Sequence, residues 1–248
     1  MYITTRGLVL REAKYKESSK MLTVLTETEG KISVAARGVM RRGSKTAPAA
    51  QLLAFSEMTL SSGKDIWTLT EARPVELFLG LRDDLERMSL GSYFAELLDL
   101  FSDADIPDPM VLSLGLNALY ALSRQLKPDA LIKAAFELRL LSEVGYAPMT
   151  GVCPVCGENV KEPVFWPNAG AVTCRTCDPA AGGARLELCD SSHEAMQYIL
   201  QADPKRLFSF RLSDDALRRL GHAVEEYIRV QLEREPSTLA FYRKVAQR

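Results

Sequence analysis

The spacing of apolar and polar positions changes near residue 80, and the change divides the chain. Before it, Ile3-Thr4-Thr5-Arg6-Gly7-Leu8-Val9-Leu10 and Met21-Leu22-Thr23-Val24-Leu25-Thr26 are rich in the β-branched and aliphatic residues that favour strands. Glu29-Gly30 then separates the second run from Lys31-Ile32-Ser33-Val34-Ala35-Ala36, where polar and apolar residues alternate, and these two segments predict a hairpin. A second hairpin is predicted between Glu57–Leu60 and Ile66–Thr70, turning through Ser61-Ser62-Gly63-Lys64-Asp65. Several short strands with no amphipathic helix among them predict a small closed barrel of OB type over 1–79, since closure removes exposed strand edges.

Beyond residue 80 the period becomes helical. Leu81, Leu85 and Met88, then Phe94, Leu97, Leu98 and Phe101, fall on one stripe. Asp108-Pro109 reads as an N-cap with proline at the first helical position, followed by Leu112, Leu116 and Leu119. A further helix is predicted from Pro128 through Leu131, Ala135, Leu138 and Leu141, ending at Gly145 with Pro148 beyond it. Ser191-x-x-Glu194 has the form of a capping box, and Ser213 is placed to cap a helix with Leu217, Leu220, Val224 and Ile228 on one face. Between these helices, residues 151–183 are rich in Gly, Pro and Cys. The expected architecture is therefore α+β with two domains. An OB-type barrel (1–79) precedes an α-helical domain (80–248), which carries a cysteine-rich insert at about 150–182.

Composition narrows the class. Among 248 residues, 47% are hydrophobic and 25% charged, as in globular proteins, and no apolar run approaches the roughly 20 residues of a membrane helix. Met1–Arg6 lacks the apolar core of a secretory signal, so a cytoplasmic location in association with the nucleoid is expected, with thiols reduced. The five cysteines are then better read as ligands or core residues than as disulfides. Cys153-Pro-Val-Cys156-Gly157 and Cys174-Arg-Thr-Cys177 form two C-x-x-C knuckles with 17 residues between Cys156 and Cys174, a four-cysteine zinc spacing. A redox pair is the alternative reading, but two such pairs at this separation fit a metal better. Four protein ligands leave no open position, so the ion is expected to be one structural Zn²⁺. Its binding would support an insert whose large apolar residues are mainly Val164, Phe165, Trp166 and Val172. Cys189, outside both knuckles, is expected in the core.

Charge adds a second candidate site. Residues 1–80 carry 12 Lys+Arg against 8 Asp+Glu, and the remainder 19 against 24. No acidic residue lies between Glu29 and Glu57, a stretch that holds Lys31, Arg37, Arg41, Arg42 and Lys45 among Gly38, Gly43, Ser44 and Thr46. A mobile loop of this kind at a barrel mouth suits a phosphate backbone, with Lys14, Lys16 and Lys20 extending the same face. Its alternative is a solvated loop that happens to be basic. Tyr2, Tyr15, Phe55 and Trp67 are the aromatics available there, at least half of them expected in the core. His193 and His222 stand in no catalytic motif, and phosphate-loop, nucleophile-elbow and zinc-protease motifs are missing. Asp83-Asp84 and Glu225-Glu226 are read as solvated helix faces. No catalytic residue is assigned.

The order of these features resembles the RecO family of bacterial recombination mediators. Local segments carry the resemblance: Thr26…Gly30-Lys31…Ala36-Arg37-Gly38, and Phe136-Glu137-Leu138-Arg139-Leu140-Leu141…Gly145-Tyr146-x-Pro148 before Cys153-x-x-Cys156-Gly157. The family often shows two glycines before the second knuckle where this chain has Gly170. The resemblance implies a DNA repair protein that binds single- and double-stranded DNA and anneals complementary strands without ATP. It also implies cooperation with RecR, contact with the C-terminal tail of single-strand-binding protein, and loading of RecA. By position in the matched barrel segment, Lys31 and Arg37 become the first DNA-contact candidates. A nuclease whose zinc insert grips its substrate is the alternative function, and an RNA-binding ribbon protein a weaker one.

Overall fold

The computed structural model describes residues 1–63 and 66–246. Five strands, β1 (Tyr2–Tyr15), β2 (Ser19–Thr26), β3 (Lys31–Ala36), β4 (Phe55–Ser61) and β5 (Trp67–Glu76), close into a barrel in the order β1-β2-β3-β5-β4. Among the described residues the rest is mainly helical: α1 (Leu85–Phe101), α2 (Pro109–Ser123), α3 (Asp129–Glu143), α4 (Asp190–Gln201), α5 (Asp214–Leu232) and α6 (Ser237–Ala246). A small sheet of β6 (Pro163–Trp166), β7 (Ala171–Cys174) and β8 (Leu186–Glu187) lies between α3 and α4 in the chain. This is the expected α+β architecture of a barrel followed by helices with a cysteine insert. By packing, the chain divides into two compact units, Met1–Arg124 joined by the segment from Pro236 onward, and Gln125–Glu235.

Alternation fills the barrel. Val9, Leu22, Val24, Ile32, Val34, Met58, Leu60 and Leu69 point inward, each worth about 2 kcal/mol of burial as an upper value. β1 runs five residues beyond the predicted end at Leu10. A bulge between Val9 and Arg11 lets Val9 and Leu10 both be buried, and the polar continuation is held by pairing with β2, including a 2.8 Å Lys20–Glu12 ion pair. The second hairpin forms as predicted, although Lys64 and Asp65 of its turn lie outside the described residues. Closure comes from a short parallel pairing, Val34 with Trp67 and Ala35 with Thr68. Since Lys14 pairs with Lys20 and Lys20 with Ala36, the β1–β2 turn, the end of β3 and the start of β5 share one end of the barrel.

In the first unit, Asp84 caps α1 by accepting from the Glu86 and Arg87 amides, and Asp108 caps α2 through Met110 and Val111, with Pro109 at the first position. α6 has no counterpart in the sequence reading. Its start is held by Glu96 of α1, which accepts from the amides and hydroxyls of both Ser237 and Thr238. Burial opposes ionisation of Glu96, but these hydrogen bonds outweigh it and hold the carboxyl below its ordinary 4.5.

In the second unit, α3 buries Leu131, Ala135, Phe136 and Leu138 and packs against α4 and α5. Ser213 caps α5 as expected, its Oγ accepting from Ala216 at 3.4 Å. The capping box does not form. α4 starts at Asp190 with Cys189 at the N-cap, so Ser191 already lies in the first turn. Leu188 is buried directly after β8, and the chain turns into the helix at once. Glu225 is likewise not a solvated face, because Lys133 reaches it at 2.6 Å and Glu137 at 2.7 Å. Burial would depress the Lys133 amine, but the two carboxylates outweigh it and raise it.

The Glu96 and Lys133 clusters each make a prediction. Glu96→Ala should destabilise the protein by about 2 kcal/mol at pH 7 in urea unfolding, discounted for partial exposure. Because the native carboxyl titrates below its unfolded value, that contribution is complete above 4.5 and fades as pH falls through the native value, so variant and wild type should converge in acid. Lys133→Met should cost roughly 3–5 kcal/mol by stranding Glu137, and adding Glu137→Leu should recover part of the loss. A double variant no more stable than Lys133→Met would contradict the pairing.

Candidate metal centre and nucleic-acid interface

The sequence places Cys153 and Cys156 on one turn and Cys174 and Cys177 on another, and the β6–β7 hairpin folds the turns together. All four Sγ atoms lie within 4.8 Å of one another, Cys156 and Cys174 at 4.0 Å. Four thiolates around one tetrahedral ion stand about 3.8 Å apart, given metal–sulfur bonds of about 2.3 Å. Each turn is closed by its own backbone: Gly157 donates to the Cys153 carbonyl at 2.8 Å and Cys177 to that of Cys174 at 2.9 Å. Gly157 takes a φ of +77°, which a side chain would resist. The Lys161 amide also donates to Cys174 Sγ at 3.3 Å.

Behind the knuckles the hairpin supplies the insert's core. Val164, Phe165, Trp166 and Val172 are buried, and Phe165 meets Tyr227 edge-on at 5.3 Å between centroids. Trp166 Nε1 donates to Thr173 Oγ1, whose single proton is shared between the carbonyls of Cys174 and Cys177, each 3.0 Å away, tying the core to the second knuckle. Burial opposes charge on Cys153, but backbone amides of Cys156, Cys174 and Val155 bring its thiol down to about 6. Burial and the neighbouring sulfurs push Cys177 up to about 12. Four thiols so close cannot all ionise without a cation among them, and a metal ion resolves that conflict. The cluster can therefore hold one metal ion. Cys189 is half-buried at the α4 N-cap, its Sγ 3.0 Å from Ser192 Oγ, and none of the five cysteines forms a disulfide.

The basic candidates separate into two groups. Lys20 is paired with Glu12. Lys31 is also engaged: its ammonium lies 3.3 Å from Asp99 Oδ1 and donates to the Asp99 carbonyl, while Asp105 N donates to the Lys31 carbonyl at 3.2 Å. Gly30 precedes it at a φ of +66°, and a Cβ there would overlap the backbone of Ile106. Gly30-Lys31 thus joins the barrel to the segment after α1, and a phosphate would have to compete with Asp99 for the lysine. Lys14, Lys16, Arg37, Arg41, Arg42 and Lys45 are exposed, and among the described residues none has a carboxylate partner. Lys14 and Lys16 stand at the β1–β2 turn, Arg37 at the end of β3, and the other three in the following loop. That loop is a chain of tight turns, Arg41 donating to Gly38 and Ser44 to Arg41. It is fastened to the β1–β2 turn by Met40 N to Ser18 O at 3.0 Å and Gly38 N to Ser19 Oγ at 3.2 Å.

Most of the remaining titratable candidates have structural employment. His193 is buried with Nε2 2.7 Å from the Thr150 carbonyl, which can only accept, so the proton sits on Nε2. His222 is exposed. Of the paired carboxylates, Asp84 caps α1, Glu225 meets Lys133, and Glu226 binds Arg229. Of the four barrel aromatics, Phe55 is buried and Trp67 half-buried, while Tyr2 and Tyr15 are exposed. Sequence patterning missed the position of Tyr15 at the barrel mouth, because the polar run after Leu10 gives no strand signal; the pairing of Lys14 with Lys20 supplies it.

Comparison with known proteins finds relatives along almost the whole chain. A family model described as recombination protein O, N terminal, matches residues 1–78, and one described as recombination protein O, C terminal, matches 82–240. A protein named DNA repair protein RecO in Acetivibrio thermocellus is 34% identical over 97% of this chain and 96% of its own length. Those of Heliobacterium modesticaldum and Symbiobacterium thermophilum are 33% and 31% identical, over 92% and 95% of this chain and 84% and 94% of theirs. No helix among the described residues is long and apolar enough to cross a membrane.

The cysteine cluster makes its own prediction. Elemental analysis of purified protein should find one metal ion per chain, and Cys156→Ser should reduce it to none. In a Trp67→Phe background, a strong chelator should red-shift Trp166 emission as the hairpin loosens. Unchanged emission after complete metal removal would show that the hairpin stands without its ion.

Proposed function

The chain belongs to the RecO family of DNA repair proteins, and from that premise we propose that it is a recombination mediator that binds DNA at the barrel mouth and anneals strands without bond chemistry. One observation carries the placement. Lys20, Lys31 and Arg11 are paired with carboxylates, whereas six exposed cations around the β1–β2 turn and the β3–β4 loop have no carboxylate partner among the described residues. Unpaired lysines and arginines are the groups that neutralise phosphates and release counterions. Arg37, Arg41, Arg42 and Lys45, with Lys14 and Lys16, form the proposed contact surface, and Lys20 and Lys31 shape it from within their ion pairs.

Annealing follows from the same physics. A cationic surface lowers the repulsion between two phosphate backbones, and base pairing provides the driving force, so neither ATP nor a catalytic residue is required. The ion in the cysteine cluster is proposed to be Zn²⁺. Four thiolates form a soft, closed, tetrahedral set, and with no ligand position left for water or substrate the ion's role is structural. The proposed partners are single- and double-stranded DNA, RecR, the C-terminal tail of single-strand-binding protein and, through them, RecA. The proposed location is the cytoplasm, at the nucleoid.

The test is salt-dependent DNA binding. Replacing Arg37, Arg41, Arg42 and Lys45 together by alanine should weaken binding to both DNA forms at least tenfold at low salt. It should also make the dependence of log affinity on log salt shallower by roughly three. Unchanged affinity would move the DNA surface elsewhere, and DNA cleavage in Mg²⁺ would replace the mediator by a nuclease.

A further inference from the structure

We propose that a groove on the outer face of the barrel is a stacking subsite for one unpaired nucleotide, with Tyr15 as its platform. The proposal rests on the DNA-binding reading above and adds which form of DNA the groove distinguishes.

The groove has a volume of about 480 Å³, within the range of pockets that enclose small ligands. Its floor is the cross-strand row Met21, Ala35 and Thr68, adjacent on β2, β3 and β5 by register and turned away from the barrel core. These side chains are small or unbranched, so the floor is shallow enough to receive a flat group. One wall is the β1–β2 turn from Tyr15 to Ser19, and the others come from Arg37, Gly38 and Arg41 after β3 and from Gly63 and Ile66 between β4 and β5. Strands 2 and 3 with the first and fourth connecting loops are the elements through which OB barrels generally take oligonucleotides.

Tyr15 and Ile66 are 42% and 44% exposed at this mouth, so part of each side chain is accessible to an occupant of the groove. Lys16 adopts a left-handed φ of +58°, rare for a side-chain-bearing residue, and its ammonium lies 5.3 Å from the Tyr15 ring centroid. The Lys16 ammonium stands over one face of the Tyr15 ring, so a base would stack on the opposite face with its phosphate near Lys16. Among the described residues of the lining, Lys16, Arg37 and Arg41 outnumber Glu17, which favours an anionic occupant. Gly38 adds no side chain to the lining, which keeps backbone within reach of a sugar–phosphate. The β1–β2 turn and the segment after β3 are already tied to each other through Ser18 and Ser19, which lowers the ordering cost on that side of the groove.

An unpaired base can lay its face on Tyr15. A base inside a duplex already has both faces stacked and offers only edges and backbone. The six cations should therefore serve both DNA forms, and Tyr15 only the single strand.

The experiment measures equilibrium binding of the full chain to a short oligothymidine and to a blunt duplex of equal length by fluorescence anisotropy. Tyr15→Ala should weaken oligothymidine binding about tenfold, with duplex binding changed less than about twofold, and Tyr15→Phe should retain wild-type affinity for both. Equal melting temperatures for the three proteins, expected for an exposed residue at a hairpin end, exclude misfolding as the cause. Equal losses on both DNAs, or no loss on either, would overturn the subsite; no loss is also the result expected if the groove instead takes an acidic peptide. Wild-type protein binding neither DNA would overturn the mediator reading itself, a failure visible before any variant is compared.

Discussion

Barrel closure through the short parallel pairing of β3 with β5 is the constraint on which the proposed DNA surface depends. Two residue pairs, Val34–Trp67 and Ala35–Thr68, bring the start of β5 beside the end of β3. The antiparallel pairing of β1 with β2 and of β2 with β3 then places the β1–β2 turn at the same end. Segments separate in sequence, 14–20, 37–45 and 66–68, thereby surround one mouth. Without closure, these cations would lie along an open sheet with unpaired edges, a form prone to association.

Within that frame, the disposition of charge separates structural from available cations. Lys133 is sequestered with Glu137 and Glu225, and Lys31 with Asp99, where each holds elements together. The cations around the β1–β2 turn and the β3–β4 loop face solvent. Basic residues with nearby carboxylates contribute to folding, and those with none among the described residues are the ones proposed to meet phosphate. The insert solves a different problem. Its hairpin has few buried apolar side chains, and the four sulfurs supply the cross-link that a larger core would otherwise provide.

Much of this was legible in the sequence, for identifiable reasons. The knuckles were visible because a C-x-x-C turn is local, and the hairpin between them was implied by the need to bring two turns together. β3 and the caps at Asp108 and Ser213 were visible because alternation and capping act within a few residues. What was missed depends on distant partners. α6 is held by Glu96, 141 residues earlier in the chain from Ser237. The extension of β1 to Tyr15 depends on β2, and Lys31 reads as a free cation until Asp99 is beside it. The Ser191 capping box failed because local pattern alone does not specify where a preceding strand releases the chain.

The most direct measurement of the central claim is annealing of complementary oligonucleotides, coated with single-strand-binding protein, followed by fluorescence in the absence of nucleotide. The account predicts acceleration by the wild-type chain that declines steeply as salt rises, because phosphate neutralisation is its physical basis. No acceleration by folded, metal-loaded protein, or acceleration indifferent to salt, would contradict it.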